Sequence, residues 1–169
     1  LLTMNIKEYV ANRKEELRAA ISKMDRVPTL CIIQVGEDPA SQAYIKGKKK
    51  DSAEVGFNAI HVELPATVSQ EELDGAIFEK NEDPNVDGLL VQLPIPKHLS
   101  TERVNELISP AKDVDGFVPN TKFIPCTPKG IIDYIAHEGF DFVGKNAVVI
   151  GRSQIVGKPM AKLLLDKSC

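Results

Sequence analysis

Tyr44 and Lys48 stand four residues apart in a segment of helical spacing, so a phenol and an ammonium project from one face about one turn apart. Such a pair can hold each partner in a useful protonation state, and a lysine in a dry site can carry protons. Lys48 also belongs to a basic run with Lys46, Lys49 and Lys50, which reads equally well as a solvated helix face. Gln92 follows Leu89-Leu90-Val91 at the carboxyl end of an apolar run, the edge where open α/β sheets present their ligands. An amide there can donate to a substrate carbonyl and accept from a neighbour; the plainer alternative is a strand-end glutamine facing water. Asp113 and Asp115 lie in KDVDGF. Asp before Gly is turn chemistry first, and a carboxylate at that point can also orient a cationic or amide-bearing ligand.

A second constellation lies in KNAVVIGRSQIVGKPMAKLLL, residues 145 to 165. The β-branched run Ala147 to Ile150 predicts a strand, Gly151 to Gly157 a turn, and Met160, Leu163 and Leu164 a helix. A glycine turn between strand and helix lets backbone N–H groups approach a pyrophosphate at the positive end of the helix. The pattern is G-x-S-x-x-x-G, with Ser153 where a second glycine usually stands, and a buried strand turning into a packed helix would look the same. His61, His98 and His137 show no metal-ligand spacing, and no metal site is expected. The chain has no nucleophile elbow, Walker A loop or HExxH motif, so nucleophilic hydrolysis and phosphoryl transfer find no support.

These groups must be positioned by an ordinary globular fold. Of the 169 residues 43% are hydrophobic and 27% charged, and the net charge of −3 gives no reason to expect a nucleic-acid partner. Cys31, Cys126 and Cys169 show no paired spacing, which points to a reducing compartment: the cytoplasm, with the mitochondrion as alternative. No apolar run is long enough to span a membrane. An amphipathic helix is predicted over residues 5 to 24, marked by Ile6, Tyr9, Val10, Leu17, Ile21 and Met24. Thr29 to Val35 reads as a buried strand. Asp38 caps a helix with Pro39 at its first position and Gly56 at its end. Ala59 to Leu64 alternates as a strand, and Ser69 with Glu72 forms a capping box for a helix to about Asn81. Val86 to Leu93 is a third apolar strand, and Thr101 to Ile108 a short helix.

The βαβα alternation argues an α/β class, with a parallel sheet covered by helices on both faces. Residues 109 to 127 are rich in Pro, Gly and Asp and read as a crossing between lobes. Beyond it, Thr127 is expected to cap a helix that has Pro128 at its first position and runs to about Glu138. The expected division is residues 1–120 as a catalytic substrate domain and 121–169 as the beginning of a Rossmann-like domain that continues beyond Cys169. A cleft between two such lobes is where ligands commonly bind.

Together these segments resemble the bifunctional methylenetetrahydrofolate dehydrogenase/cyclohydrolases. The likeness is carried in order by VGEDPASQAYIKGKKKDSAEVGF (35 to 57), VDGLLVQLPIP (86 to 96), SPAKDVDGF (109 to 117), PCTPKGI (125 to 131) and GKNAVVIGRSQIVGKPMAKLLL (144 to 165). The resemblance implies an enzyme that oxidises 5,10-methylenetetrahydrofolate to the 5,10-methenyl form, passing hydride to NADP or NAD, and then adds water to give 10-formyltetrahydrofolate. It implies that Lys48 is the central catalytic residue, that Tyr44 packs against the folate, that Gln92 tunes Lys48 and that Asp115 anchors the pterin ring. Val91 and Leu93 would line the substrate wall. Gly151, Arg152 and Ser153 would meet the cofactor, with Arg152 a partner for an NADP 2′-phosphate, and the enzyme would be a homodimer. The chain departs from the family pattern between Asn120 and Phe123, where an Asn-x-Gly-x-Leu segment is usual. Short-chain dehydrogenases also use Tyr-x-x-x-Lys, but there the pair follows the glycine turn, whereas Tyr44 precedes Gly151 by a whole lobe. A monofunctional dehydrogenase and a non-catalytic folate- or nucleotide-binding module are the remaining alternatives.

Overall fold

Three apolar runs become three parallel strands, β1 (Thr29–Val35), β2 (Asn58–Leu64) and β3 (Gly88–Val91), in the order β2-β1-β3. The computed structural model describes residues 5–119 and 121–169. Thr29 pairs with Asn58 through to Val35 with Leu64, and Leu30 pairs with Gly88 through to Ile33 with Val91. The central strand TLCIIQV is apolar almost throughout because both of its faces are covered; Cys31, Ile32 and Ile33 are wholly buried. Regular pairing of the third strand covers 88–91 rather than 86–93. Gln92 still donates its backbone N–H to Ile33 O at 2.8 Å, and the Leu93–Pro94 peptide is cis.

The helices are α1 (Ile6–Ile21), α2 (Pro39–Val55), α3 (Gln70–Glu82), α4 (Thr101–Leu107), α5 (Cys126–His137) and α6 (Gly157–Asp166). Local chemistry sets their starts. Asp38 Oδ1 accepts from Ser41 N at 2.8 Å ahead of α2, and Gly56, at φ +96°, closes that helix. Ser69 and Glu72 form the expected box ahead of α3. Cys31, Ile33, Val35, Leu89 and Val91 pack with Leu73 and Ile77 of α3 and Val104 of α4. On the other face Ile32 and Leu90 pack with Ile45 of α2. The connections that leave β1 and β3 therefore lie on opposite faces of the sheet, α2 on one and α4 on the other. That makes the carboxyl ends of these neighbouring strands a topological switch point, where a crevice opens. At the opposite end Asp87 Oδ2 accepts from Thr29 N at 2.8 Å and from Arg26 Nη1 at 2.9 Å, joining the entries of β1 and β3.

Three expectations are corrected. The stripe assigned to the first helix does not form its buried face: Ile21 is buried, but Ile6, Val10, Leu17 and Met24 are exposed, and the helix ends at Ile21. Polar contacts hold α1 instead. Lys14 Nζ reaches Asp51 and Glu54 of α2 at 2.7 and 2.8 Å, and the Tyr9 ring lies 5.1 Å from Tyr134 and 4.8 Å from His137 of α5. Thr127 does not cap α5. Pro125 stands at the cap without a side-chain bond, and Pro128 lies one turn in, where its missing N–H would have no helical partner anyway. Residues 147–150 form no strand: Val148 is 88% and Ile150 98% exposed, and no described residues run beside them to complete a ladder.

Candidate active site

The crevice at the switch point is where the chemistry-bearing residues meet. Tyr44, Lys48, Val91, Gln92, Leu93 and Asp115 all line one hollow of about 380 Å³. Each arrives by a different route: Tyr44 and Lys48 from one face of α2, Val91 to Leu93 from the end of β3, and Asp115 from the loop that follows α4. The far wall comes from the second lobe, through Pro125, Cys126 and Thr127 at the start of α5 and Ile155 and Val156 ahead of α6.

One hydrogen bond organises the centre. Lys48 Nζ donates to Gln92 Oε1 at 3.2 Å, while Gln92 Nε2 donates to Leu93 O at 2.8 Å. Leu93 O can only accept, so the NH2 end of the amide must face it, and the oxygen is thereby turned toward the ammonium. The buried Ser41 Oγ donates to the same carbonyl at 3.4 Å, tying the start of α2 to the strand end. Tyr44 is 67% exposed, its ring open to a ligand rather than packed in the core.

The two aspartates of KDVDGF part company. Asp113 is 2% exposed, and its carboxylate accepts from Asp115 N at 3.2 Å, Gly116 N at 2.9 Å and Val118 N at 2.9 Å. It folds the loop. Asp115 lies in the hollow, and no described residue donates to its carboxylate. Burial raises its carboxyl above the usual aspartate range; the Lys48 charge counteracts this and Asp113 reinforces it. The site therefore presents a carboxyl that a polar ring can satisfy, close to an ammonium held by an amide.

Gly151, Arg152 and Ser153 do not line this hollow; all three are exposed at the turn before α6. Ser153 Oγ accepts from Val156 N and Gly157 N, each at 3.2 Å, and so shapes the turn. A Cβ at Gly157 would stand 2.5 Å from Gly151 O, so only glycine permits the close crossing of backbone there. Among the described residues the N–H groups of Arg152 and Ser153 have no hydrogen-bond partner, and the Arg152 guanidinium makes no ion pair. Free N–H groups beside a free guanidinium fit the pyrophosphate and phosphate of a dinucleotide.

Phe117, Cys126, Ile155 and Val156 also lie on the hollow, and nothing in the sequence marks them for it. Their side chains carry no spacing signal; only their nearness to Asp115, Pro125 and the glycine turn could have marked them. A larger hollow of about 540 Å³ beside α6, bordered by Lys158, Lys162 and Asp166, brings no comparable hydrogen-bonded group together.

The chain matches two family models and is similar to several known proteins. Residues 4–115 match the sequence model of the tetrahydrofolate dehydrogenase/cyclohydrolase catalytic domain, and residues 125–169 that of its NAD(P)-binding domain. The chain is similar to the bifunctional protein FolD of Nitratiruptor sp., with 45% identity over 175 residues, covering 98% of this chain and 61% of that protein. It is also similar to the bifunctional protein FolD of Acetivibrio thermocellus, with 45% identity over 177 residues, covering 98% and 62%. Among solved structures, the bifunctional FolD methylenetetrahydrofolate dehydrogenase/cyclohydrolase of Campylobacter jejuni superimposes with a TM-score of 0.92 at 38% identity, covering 96% of this chain and 62% of that one. The Trypanosoma brucei dehydrogenase-cyclohydrolase, solved with NADP cofactor and inhibitor, gives 0.88 at 32% identity, covering 95% and 60%. The chain thus spans 61% and 62% of the length of these two curated relatives.

Proposed function

Because the chain belongs to the tetrahydrofolate dehydrogenase/cyclohydrolase family, we propose that it acts within an enzyme that oxidises 5,10-methylenetetrahydrofolate to 5,10-methenyltetrahydrofolate and hydrolyses that product to 10-formyltetrahydrofolate. The observation that carries this reading is the Lys48–Gln92 hydrogen bond inside a hollow shared with Tyr44 and Asp115. Residues 1–120 would form the folate-binding lobe and 121–169 the beginning of the dinucleotide-binding one, in a homodimer.

A nicotinamide dinucleotide, when bound, supplies the acceptor for hydride from the folate bridge carbon. The chain's part is to orient and to exclude water. The Tyr44 ring offers a flat face for the aromatic portion of the folate, Val91 and Leu93 an apolar wall, and Asp115 a carboxyl for the amino and ring N–H groups of the pterin. Gly151, Arg152 and Ser153 would hold the dinucleotide through free N–H groups and one guanidinium, with Arg152 reading the 2′-phosphate of NADP in preference to NAD.

Water addition is the step that needs a proton carrier. A water oxygen bonds to the methenyl carbon and gives up one proton to solvent; the oxygen then loses its second proton as the carbon–oxygen double bond forms and the bond from that carbon to N5 breaks, and N5 takes a proton. Lys48, fixed in direction by Gln92 Oε1, stands where both transfers can pass through one side chain.

The test is absorbance of the complete protein supplied with methylenetetrahydrofolate and NADP, then NAD. Formation of the methenyl product that decays faster than its uncatalysed hydrolysis is expected. Product that decays only at the uncatalysed rate would leave a dehydrogenase alone, and no product with either cofactor would leave a binding module.

A further inference from the structure

Helix α2 borders a second hollow on the flank turned away from the cleft. On the sheet face under α2, side chains are apolar at Leu30, Ile32 and Leu90 and turn polar at Gln34, His61 and Glu63. The register sets Ile32 beside His61 and Gln34 beside Glu63, so these polar groups share that face. Gln34 is only 3% exposed, and both ends of its amide are engaged. Nε2 donates to Gly36 O at 2.8 Å, and Oε1 accepts from His61 Nε2 at 2.9 Å. Gly36 O fixes which way the amide points, so His61 must carry its hydrogen on Nε2, and Nδ1 faces Glu63 Oε1 at 3.5 Å. A buried amide contributes little that a hydrocarbon would not to closing this part of the core. What it does here is fix the imidazole at the floor of the hollow, beside the exposed Glu63.

Above this floor Gln42, Lys46 and Lys49 project from α2. Among the described residues none of their side chains has a hydrogen-bond or ion-pair partner. Two adjoining hollows of about 320 and 480 Å³ share Gln34, Gln42 and Glu63. The first carries both lysines, and the second continues to Glu37 and the backbone at Gly36. The groove thus has two lysines at one end, Glu63 beside two amides in the middle and Glu37 at the other end, and the chemistry assigned to the cleft uses none of these groups.

We propose that this groove is a second ligand site, taking an amino acid with an acidic side chain. Its two carboxylates meet Lys46 and Lys49, its ammonium meets Glu63, and the Gln42 amide bridges them. A simple dianion would meet Glu63 unpaired, and a simple amine would leave both lysines unpaired, so the polarity of the groove selects a zwitterion with excess negative charge.

The test is a titration of the complete, isotope-labelled protein with L-glutamate, followed by backbone amide shifts. Saturable shifts at Gln34, Gln42, Lys46, His61 and Glu63 are expected. The dissociation constant should rise at least about tenfold in the Lys46→Ala/Lys49→Ala double variant, in Glu63→Gln, and for glutarate, which lacks the ammonium. Tyr44→Ala, which alters only the cleft, should leave it unchanged. Unshifted amides elsewhere in the variants show that they are folded. Shifts that grow linearly without saturation, saturable shifts confined to the cleft, or a dissociation constant unmoved by the double variant would each overturn the proposal and leave the groove a solvated helix flank. Because the readout is binding away from the cleft, none of these outcomes depends on the folate reading.

Discussion

Lys48 on α2 and Gln92 at the end of β3 are 44 residues apart in sequence, and Lys48 Nζ meets Gln92 Oε1 at 3.2 Å. The amide is itself directed by Leu93 O, which also receives Ser41 Oγ, so helix and strand end share one polar junction. Lys48→Met should reduce methenyl hydrolysis by at least about 100-fold while leaving dinucleotide affinity within about twofold, because a general acid–base group contributes on that order. Stopped-flow decay of the methenyl product beside dinucleotide titration checks this. Loss of dinucleotide binding would make Lys48 a structural residue.

Asp113 and Asp115 should respond to substitution with opposite signs. Asp113→Ala strands three N–H groups and should cost about 3 kcal/mol in urea unfolding. Asp115→Asn should stabilise at neutral pH. Burial raises the Asp115 carboxyl in the folded state, so its protonated form is favoured by folding. That contribution is complete below the unfolded value, near 3.9, and is lost as pH rises through the raised one. The charged carboxylate then opposes folding at pH 7, and the gain from Asn should disappear at pH 3. Urea midpoints at both pH values decide it, and a gain that persisted at pH 3 would contradict burial as the cause.

The thiols report the cleft from outside the chemistry. Cys31 is wholly buried, and burial pushes its thiol up to about 11, so it should react with an aromatic disulfide reagent only on unfolding. Cys126 lines the cleft as an exposed residue, and partial burial, followed by the Asp115 charge, raises its thiol as well. It should react slowly at pH 8 and be protected by a bound folate. The difference between the native chain and Cys126→Ser isolates its rate. Protection absent at saturating folate would place the ligand elsewhere.

The glycine turn yields a paired expectation. Gly157→Ala drives a Cβ against Gly151 O and should destabilise by about 2 kcal/mol, with loss of both NADP and NAD binding. Arg152→Ala should leave stability unchanged and weaken NADP far more than NAD. Calorimetric titration with both dinucleotides separates the two effects, and equal loss in Arg152→Ala would remove it from phosphate recognition.

Much of the first lobe is legible because its determinants are local. Asp38, Pro39 and Gly56 bracket α2 by capping chemistry alone, and TLCIIQV is too apolar for anything but a strand covered on both faces. The α1 stripe misleads because Lys14 and Arg18 hold that helix, through Asp51 and Glu54, leaving Ile6 and Val10 in water. Ala147 to Ile150 has the composition of a strand, but pairing depends on neighbours and not on composition. Asp113 and Asp115 share one turn signal, and only their N–H partners and burial tell them apart. Gln34 gave no sign at all: a single amide within an apolar run says nothing of the imidazole it holds until the neighbouring strand is in register.

Asp87 fastens the entries of β1 and β3 through Thr29 N and Arg26, whereas the exits of the same strands part into the loops after Val35 and Val91. A ligand seated beyond those exits would brace the end of the sheet that Asp87 does not reach. Amide exchange should therefore be slowest near Thr29 and Gly88 and quicken toward Val35 and Gln92, and a bound ligand should flatten that gradient from its fast end alone.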